Sequence, residues 1–114
     1  MSAGSYNLAV EQGATFDQTF TWKNAAGVPV DLDGYVARLH VRERAEAAVA
    51  LALEQGAGLT LGGAVGTIRV LLSAATTAAL TARTYVYDLE LEDPQGVVTR
   101  LLAGKVTVSR EVTR

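Results

Sequence analysis

The sequence predicts an all-β, antiparallel β-sandwich with one short helical turn. Three observations carry that prediction. Turn signals recur at short intervals, at Gln12-Gly13, Asn24-Ala25-Ala26-Gly27, Asp31-Leu32-Asp33-Gly34, Gln55-Gly56-Ala57-Gly58, Gly62-Gly63 and Asp93-Pro94-Gln95-Gly96. Between them, apolar residues alternate with polar ones at period two, the pattern of half-buried strands. The composition, 49% hydrophobic and 19% charged over 114 residues, is enough to fill one core, so a single domain spanning 1–114 is expected.

The elements follow in order. From Ala14 to Lys23, Phe16, Gln18, Phe20 and Trp22 share one face, and Asp17, Thr19, Thr21 and Lys23 share the other. From Tyr35 to Arg44, the inward set is Tyr35, Ala37, Leu39 and Val41, and the outward set is Arg38, His40, Arg42 and Arg44. Gly66 to Leu72 turns Ile68, Val70 and Leu72 to one side. Arg83 to Glu92 turns Tyr85, Tyr87, Leu89 and Leu91 inward and Asp88, Glu90 and Glu92 outward. Asp93-Pro94-Gln95-Gly96 suits a type I turn, with Pro second and Gly fourth. Val97 to Val108 then returns as the hairpin partner, ending in Val106 and Val108 on the core side, and its alternation is expected to break at Gly104 in a bulge or bend.

Two stretches resist the β pattern. Ser73 to Leu80 opens with a good N-cap and is rich in Ala, which predicts a short helical turn. In 44–55, Ala45, Ala48, Val49, Ala52 and Leu53 fit helical spacing, whereas Val49, Leu51 and Leu53 also alternate. Local propensity leaves strand and helix both open there; the surrounding β pattern favours a strand from Ala48 to Glu54.

Several chemistries find no support. Ten basic against twelve acidic residues give a net charge of −2, without the basic surface that nucleic acid requires. No cysteine is present, which excludes disulfides, thiolate metal sites and cysteine nucleophiles. No apolar run approaches the ~18 residues of a membrane span, and the first residues lack the basic and apolar regions of a signal peptide. His40 is the sole histidine and sits on an outward strand face, where an acid–base role needs an orienting partner. Asp31-Leu32-Asp33-Gly34 resembles the start of a calcium loop but lacks the later ligands, and it reads better as an Asx turn. No serine lies in a Gly-x-Ser-x-Gly elbow, and no phosphate-binding Gly-rich loop is present. The expectation is a protein with no enzymatic activity, no cofactor and no metal.

Two patterns remain for binding. Arg38, His40, Arg42 and Arg44 form an outward stripe, and Arg outnumbers Lys eight to two, as at protein interfaces where the planar guanidinium pairs bidentately. A solvated sheet face is the plainer explanation of the stripe. Trp22, Tyr35, Tyr85 and Tyr87 would form a sugar-stacking platform if exposed, although their alternating positions favour core packing.

The order of residues also carries a resemblance. Glu11-Gln12-Gly13-Ala14-Thr15-Phe16, then Phe20-Thr21-Trp22, then Val28-Pro29-Val30-Asp31-Leu32-Asp33-Gly34-Tyr35 open the chain. Tyr85-Val86-Tyr87-Asp88-Leu89-Glu90 and Gly104-Lys105-Val106-Thr107-Val108 close it. This resembles small virion proteins of tailed bacteriophages and prophages, and the N-terminal domain of phage baseplate upper proteins. The resemblance implies an immunoglobulin-like sandwich that docks in multiple copies to other virion proteins of the tail, baseplate, connector or capsid surface. It implies no nucleic-acid or membrane partner and a place in the virion, assembled in the host cytoplasm. Baseplate upper proteins continue into receptor-binding modules; a chain ending at Arg114 leaves that role to another chain. The alternative functions are capsid decoration and a carbohydrate-binding or adhesion module.

Overall fold

The computed structural model describes residues 4–112. The strands are β1 (Gly4–Ser5), β2 (Leu8–Glu11), β3 (Phe16–Thr21), β4 (Val36–Arg42), β5 (Val49–Gln55), β6 (Gly58–Leu61), β7 (Thr67–Leu72), β8 (Thr84–Glu92) and β9 (Val98–Ser109), with a single 3-10 turn (Gly63–Val65) between β6 and β7 and a short α-helix, α1 (Ala74–Ala78), between β7 and β8. Hydrogen bonding runs β1-β9-β8-β4-β5-β6-β7-β3, with β2 also on β9. The path folds over at Gln55-Gly56, where the chain leaves β5 and enters β6. Strands β1, β2, β9, β8, β4 and β5 thus form one layer of an immunoglobulin-like β-sandwich, and β6, β7 and β3 form the other.

Antiparallel pairing dominates, in β3/β7, β4/β5, β4/β8, β6/β7 and β8/β9. The exceptions are β1 and β2, which run parallel to β9, and the short β5/β6 step at the corner. The sequence pattern passes over β2 because a strand of four residues, Leu8 to Glu11, has only two inward positions. Both Leu8 and Val10 are buried.

The inward faces meet in one cluster. Leu39, Val41, Ile68, Val70, Tyr87, Leu89, Leu91, Val106 and Val108 are buried as the alternation predicts. Phe16, Phe20 and Trp22 are not; they pack against the cluster while staying half-exposed. The reason is topological: β3 is the last strand of its layer, so its inward side chains are covered from one side. Leu32, Leu59 and Leu80 are buried without a strand pattern to announce them.

Local chemistry accounts for the turns. The side chain of Asp93 accepts from the N–H groups of Gln95 (2.9 Å) and Val97 (2.8 Å), and Gly96 takes φ 87°. Asn24 repeats this with Ala26 (2.9 Å) and Val28 (3.1 Å), with Gly27 at φ 80°. In both, Gly supplies the left-handed backbone that a side chain resists. Asp31 accepts from the Asp33 N–H at 3.0 Å, the expected Asx turn, and this drives the intervening Leu32 into the core. The Ser73 hydroxyl caps α1 at the Thr76 N–H (3.1 Å). The 44–55 region is a turn followed by strand β5, and the helix alternative is thereby settled against.

The last strand departs from expectation. The irregularity in the last strand lies at Leu101, not Gly104: Leu89 pairs with Leu102 but Glu90 with Arg100, which leaves Leu101 as the extra residue. Gly104 stays in register opposite Tyr87. It is glycine because a Cβ there would fall 2.2 Å from the Tyr6 carbonyl oxygen. Finally, Tyr85 at the start of β8 donates its hydroxyl to the Thr81 carbonyl at 2.8 Å. This is the tyrosine corner of Greek-key sandwiches, and Tyr87 stands where disulfide-bridged members carry the second cysteine.

Candidate interaction face

The outer side of the β4–β8–β9 layer gathers most of the charge that the sequence places outward. Register sets the rows. Arg38 lies opposite Glu90, which lies opposite Arg100; His40 lies opposite Asp88, which lies opposite Ala103; Arg42 lies opposite Val86, which lies opposite Lys105. On the far side of β4, Arg38 is flanked by Glu54 and His40 by Ala52. The bulge at Leu101 is what permits this arrangement. It resets the phase of β9 so that Arg100 and Ala103 both face outward while Leu102 turns toward the core.

Opposite charges pair within one row and between neighbouring rows. The Arg38 guanidinium contacts Glu90 and Glu92, each at 3.3 Å, and Arg100 contacts Asp88 at 3.4 Å. Arg42 donates to the Ala47 carbonyl at 2.5 Å, which ties the β4–β5 turn back onto the face. Small residues in the middle row, with Gly104 beside them, leave a hollow of about 480 Å³ above His40, Asp88 and Ala103.

Arg38, His40 and Arg42 are therefore brought together, and each is half-buried on the hollow's wall. Arg44 is not. It sits in the turn after β4, largely exposed, with Glu46 3.8 Å away. The stripe is three residues long because β4 ends at Arg42 and the chain turns there. Sequence alternation turns Asp88, Glu90 and Glu92 outward but does not set them beside Arg38 and His40, nor single out Arg100 and Ala103, since those pairings are fixed by register across strands some fifty residues apart.

The face offers charge and shape without an aliphatic hydroxyl or a thiol. None of the residues lining the hollow is Ser, Thr or Cys, and the Tyr87 hydroxyl points the other way, into the fold, to the Tyr6 carbonyl at 2.6 Å. Burial raises the Tyr87 phenol to about 12, with a smaller push from Tyr6. Among the described residues, no group of three His, Cys, Asp or Glu side chains is placed to hold a metal ion.

The aromatic platform does not form. Tyr85 and Tyr87 are 3% and 4% exposed. Trp22 and Tyr35 lie half-buried against the core, edge-on to each other with centroids 6.1 Å apart. Their faces serve packing rather than a flat stacking surface.

No protein-family model matches the chain, and no curated protein does. Solved structures do. The extracellular domain of the voltage-gated sodium channel beta4 subunit, described in parallel homodimers with a role in cell–cell adhesion, aligns over 98% of both chains at 12% identity and a TM-score of 0.49. A structure from work on multimeric cell-adhesive interactions of sodium-channel beta subunits aligns over 99% of this chain and 98% of its own, at 11% identity and a TM-score of 0.49. Fibronectin(III)-like modules of Clostridium thermocellum CbhA align over 96% of this chain and 93% of theirs, at 8% identity and a TM-score of 0.43.

Proposed function

We propose that this protein is a non-catalytic docking module that takes its place in a multi-copy protein assembly through the β4–β8–β9 face. The observation that carries this reading is the hollow above His40, Asp88 and Ala103, walled by half-buried Arg38, His40 and Arg42 and by the ion pairs Arg38–Glu90 and Arg100–Asp88. Such a surface suits a protein partner: guanidinium and carboxylate groups held in fixed rows give register and specificity, and the small residues between them admit a protruding side chain. The resemblance to tailed-phage virion proteins makes that assembly a phage particle, with a station in the tail, baseplate or connector, and capsid decoration as the competing station.

A second reading, an adhesion module, uses the same face. The covered positions of Tyr85 and Tyr87, and the edge-on packing of Trp22 with Tyr35, favour a protein over a sugar as its target.

The test is Ala103→Arg, which fills the hollow from an outward position and leaves the core alone. The variant should melt within about 0.5 kcal/mol of the parent chain and fail to enter purified particles. Entry at the parent level would overturn the assignment of this face. Electron microscopy of particles carrying the labelled chain separates the stations, because density on the head surface selects decoration. Absence from particles together with clustering of beads coated with the chain selects adhesion.

A further inference from the structure

Strand β3 pairs with β7 on one side, and no described strand lies along its other side. The segment that precedes it in the chain runs instead along β9, as β1 and β2. The ladder's phase fixes which backbone groups face out. The Trp22 N–H donates to the Gly66 carbonyl at 2.8 Å, and the Thr67 carbonyl accepts from Gly62 at 2.8 Å, on the β6 side. Alternation along an antiparallel pair then turns the N–H and C=O groups of Phe16, Gln18 and Phe20 toward β7 and those of Asp17, Thr19 and Thr21 outward.

Nothing on β3 blunts this edge. The strand holds no Pro, no Lys and no register shift. Its one charge, Asp17, is engaged by a two-pronged contact from Arg69, at 2.9 and 2.7 Å. That hydrogen bonding holds the Asp17 carboxyl below its ordinary range. On the inner side, Phe16 and Phe20 stay half-exposed, whereas Ile68, Val70 and Leu72 on the adjacent β7 are 0%, 1% and 5% exposed. Tyr6 covers part of this side, its ring edge-on to Phe20 with centroids 5.1 Å apart and its hydroxyl accepting from the Gln18 amide at 2.6 Å; the rest of the two aromatic surfaces has no cover among the described residues.

We propose that β3 pairs antiparallel with β3 of a second copy of this chain, about a two-fold axis at Gln18, joining two β6–β7–β3 layers into one continuous sheet. Each strand of the pair then supplies the donors and acceptors that the other leaves free, the isologous form of strand addition. Charge and shape select the register. Centred on Gln18, Phe16 lies opposite Phe20 of the second copy, and Asp17 lies opposite Thr19. Arg69, which stands beside Thr19, then has the second copy's Asp17 in its own row. A register centred on Asp17 would set two carboxylates face to face, and one centred on Thr19 would set Gln18 against Phe20. This surface is separate from the β4–β8–β9 face and stands or falls without it.

The chain has no cysteine, so a single introduced thiol reports on one position. At the two-fold axis the Gln18 pair is non-hydrogen-bonded, with Cα atoms about 4.5 Å apart, within disulfide reach. The two Thr21 positions are about 20 Å apart along the strands. Gln18→Cys should therefore give a disulfide-linked dimer on mild oxidation, and Thr21→Cys should not. In sedimentation across a concentration series, the unmodified chain should show a monomer–dimer equilibrium. Thr19→Pro, whose lost N–H faces out of the fold, should be folded and monomeric. The proposal is overturned by an unmodified chain that stays monomeric at every concentration, by a folded Thr19→Pro variant that still dimerises, or by Thr21→Cys linking as readily as Gln18→Cys. If Thr19→Pro fails to fold, the cysteine pair decides.

Discussion

The Tyr87 hydroxyl donates to the Tyr6 carbonyl at 2.6 Å, across 81 residues of sequence, and so ties the middle of β8 to the link between β1 and β2. The Tyr6 N–H completes the clamp by donating to the Ala103 carbonyl at 3.1 Å. The first strands of the chain are held to β9 and β8 together, and the outer face of that layer depends on the same clamp from behind.

Tyr87→Phe removes the donor and leaves the Tyr6 carbonyl short of a partner. The expected cost at neutral pH is about 0.5–1.5 kcal/mol, read by chemical denaturation. The pH dependence reports the burial of the phenol, which is the main cause of its raised value. The native phenol is raised to about 12, above the unfolded value near ~10. Its contribution is therefore fully present below pH ~10 and is lost as pH rises toward about 12, because the unfolded chain ionises first. Denaturation curves across that window should fall more steeply for the parent chain than for Tyr87→Phe.

Gly104→Ala tests the close approach of the same two segments. A Cβ would meet the Tyr6 carbonyl oxygen at 2.2 Å, and a backbone atom cannot swing aside as a side chain can. A loss of about 1–3 kcal/mol is expected, the range for overpacking. Hydrogen exchange should show the Tyr6 amide losing protection more than the amides of β4. Equal loss throughout would place the strain elsewhere.

Thr77 is the one fully buried polar side chain among the described residues. Its hydroxyl accepts from the Gly13 N–H at 3.0 Å and lies 2.8 Å from the Ala14 carbonyl, pinning the β2–β3 turn onto α1. Thr77→Val keeps the shape and strands both backbone groups, so it should cost about 1–3 kcal/mol, whereas Thr77→Ser should retain much of the stability. Paired thermal melts of the two variants check this.

Leu89→Ala and Arg44→Ala contrast a core position with an exposed turn. Leu89 is 0% exposed at the centre of β8, and truncation should cost about 2–5 kcal/mol. Arg44 is exposed in a turn, and its removal should stay within about 0.5 kcal/mol. Equal destabilisation in thermal melts would mean that Leu89 is not a core residue.

Alternation by itself determined which side of β4, β7 and β8 is core, because a period of two admits only two choices and the apolar residues occupy one of them. Turn chemistry determined Asn24–Gly27, Asp31–Gly34 and Asp93–Gly96 in the same local way, through side-chain acceptors and a left-handed glycine a few residues away. What depends on pairing between distant segments was decided only in the tertiary structure. The phase change at Leu101 arises from register against β8, and Gly104 is required by a carbonyl nearly a hundred residues earlier. Arg38, His40 and Arg42 become a walled hollow only when Asp88, Glu90, Arg100 and Ala103 arrive beside them, and Arg44 drops out because the strand ends first. The partial exposure of Phe16 and Phe20 has the same origin: their pattern is that of core residues, but β3 lies at the edge of its sheet, and no local pattern records which strand is last.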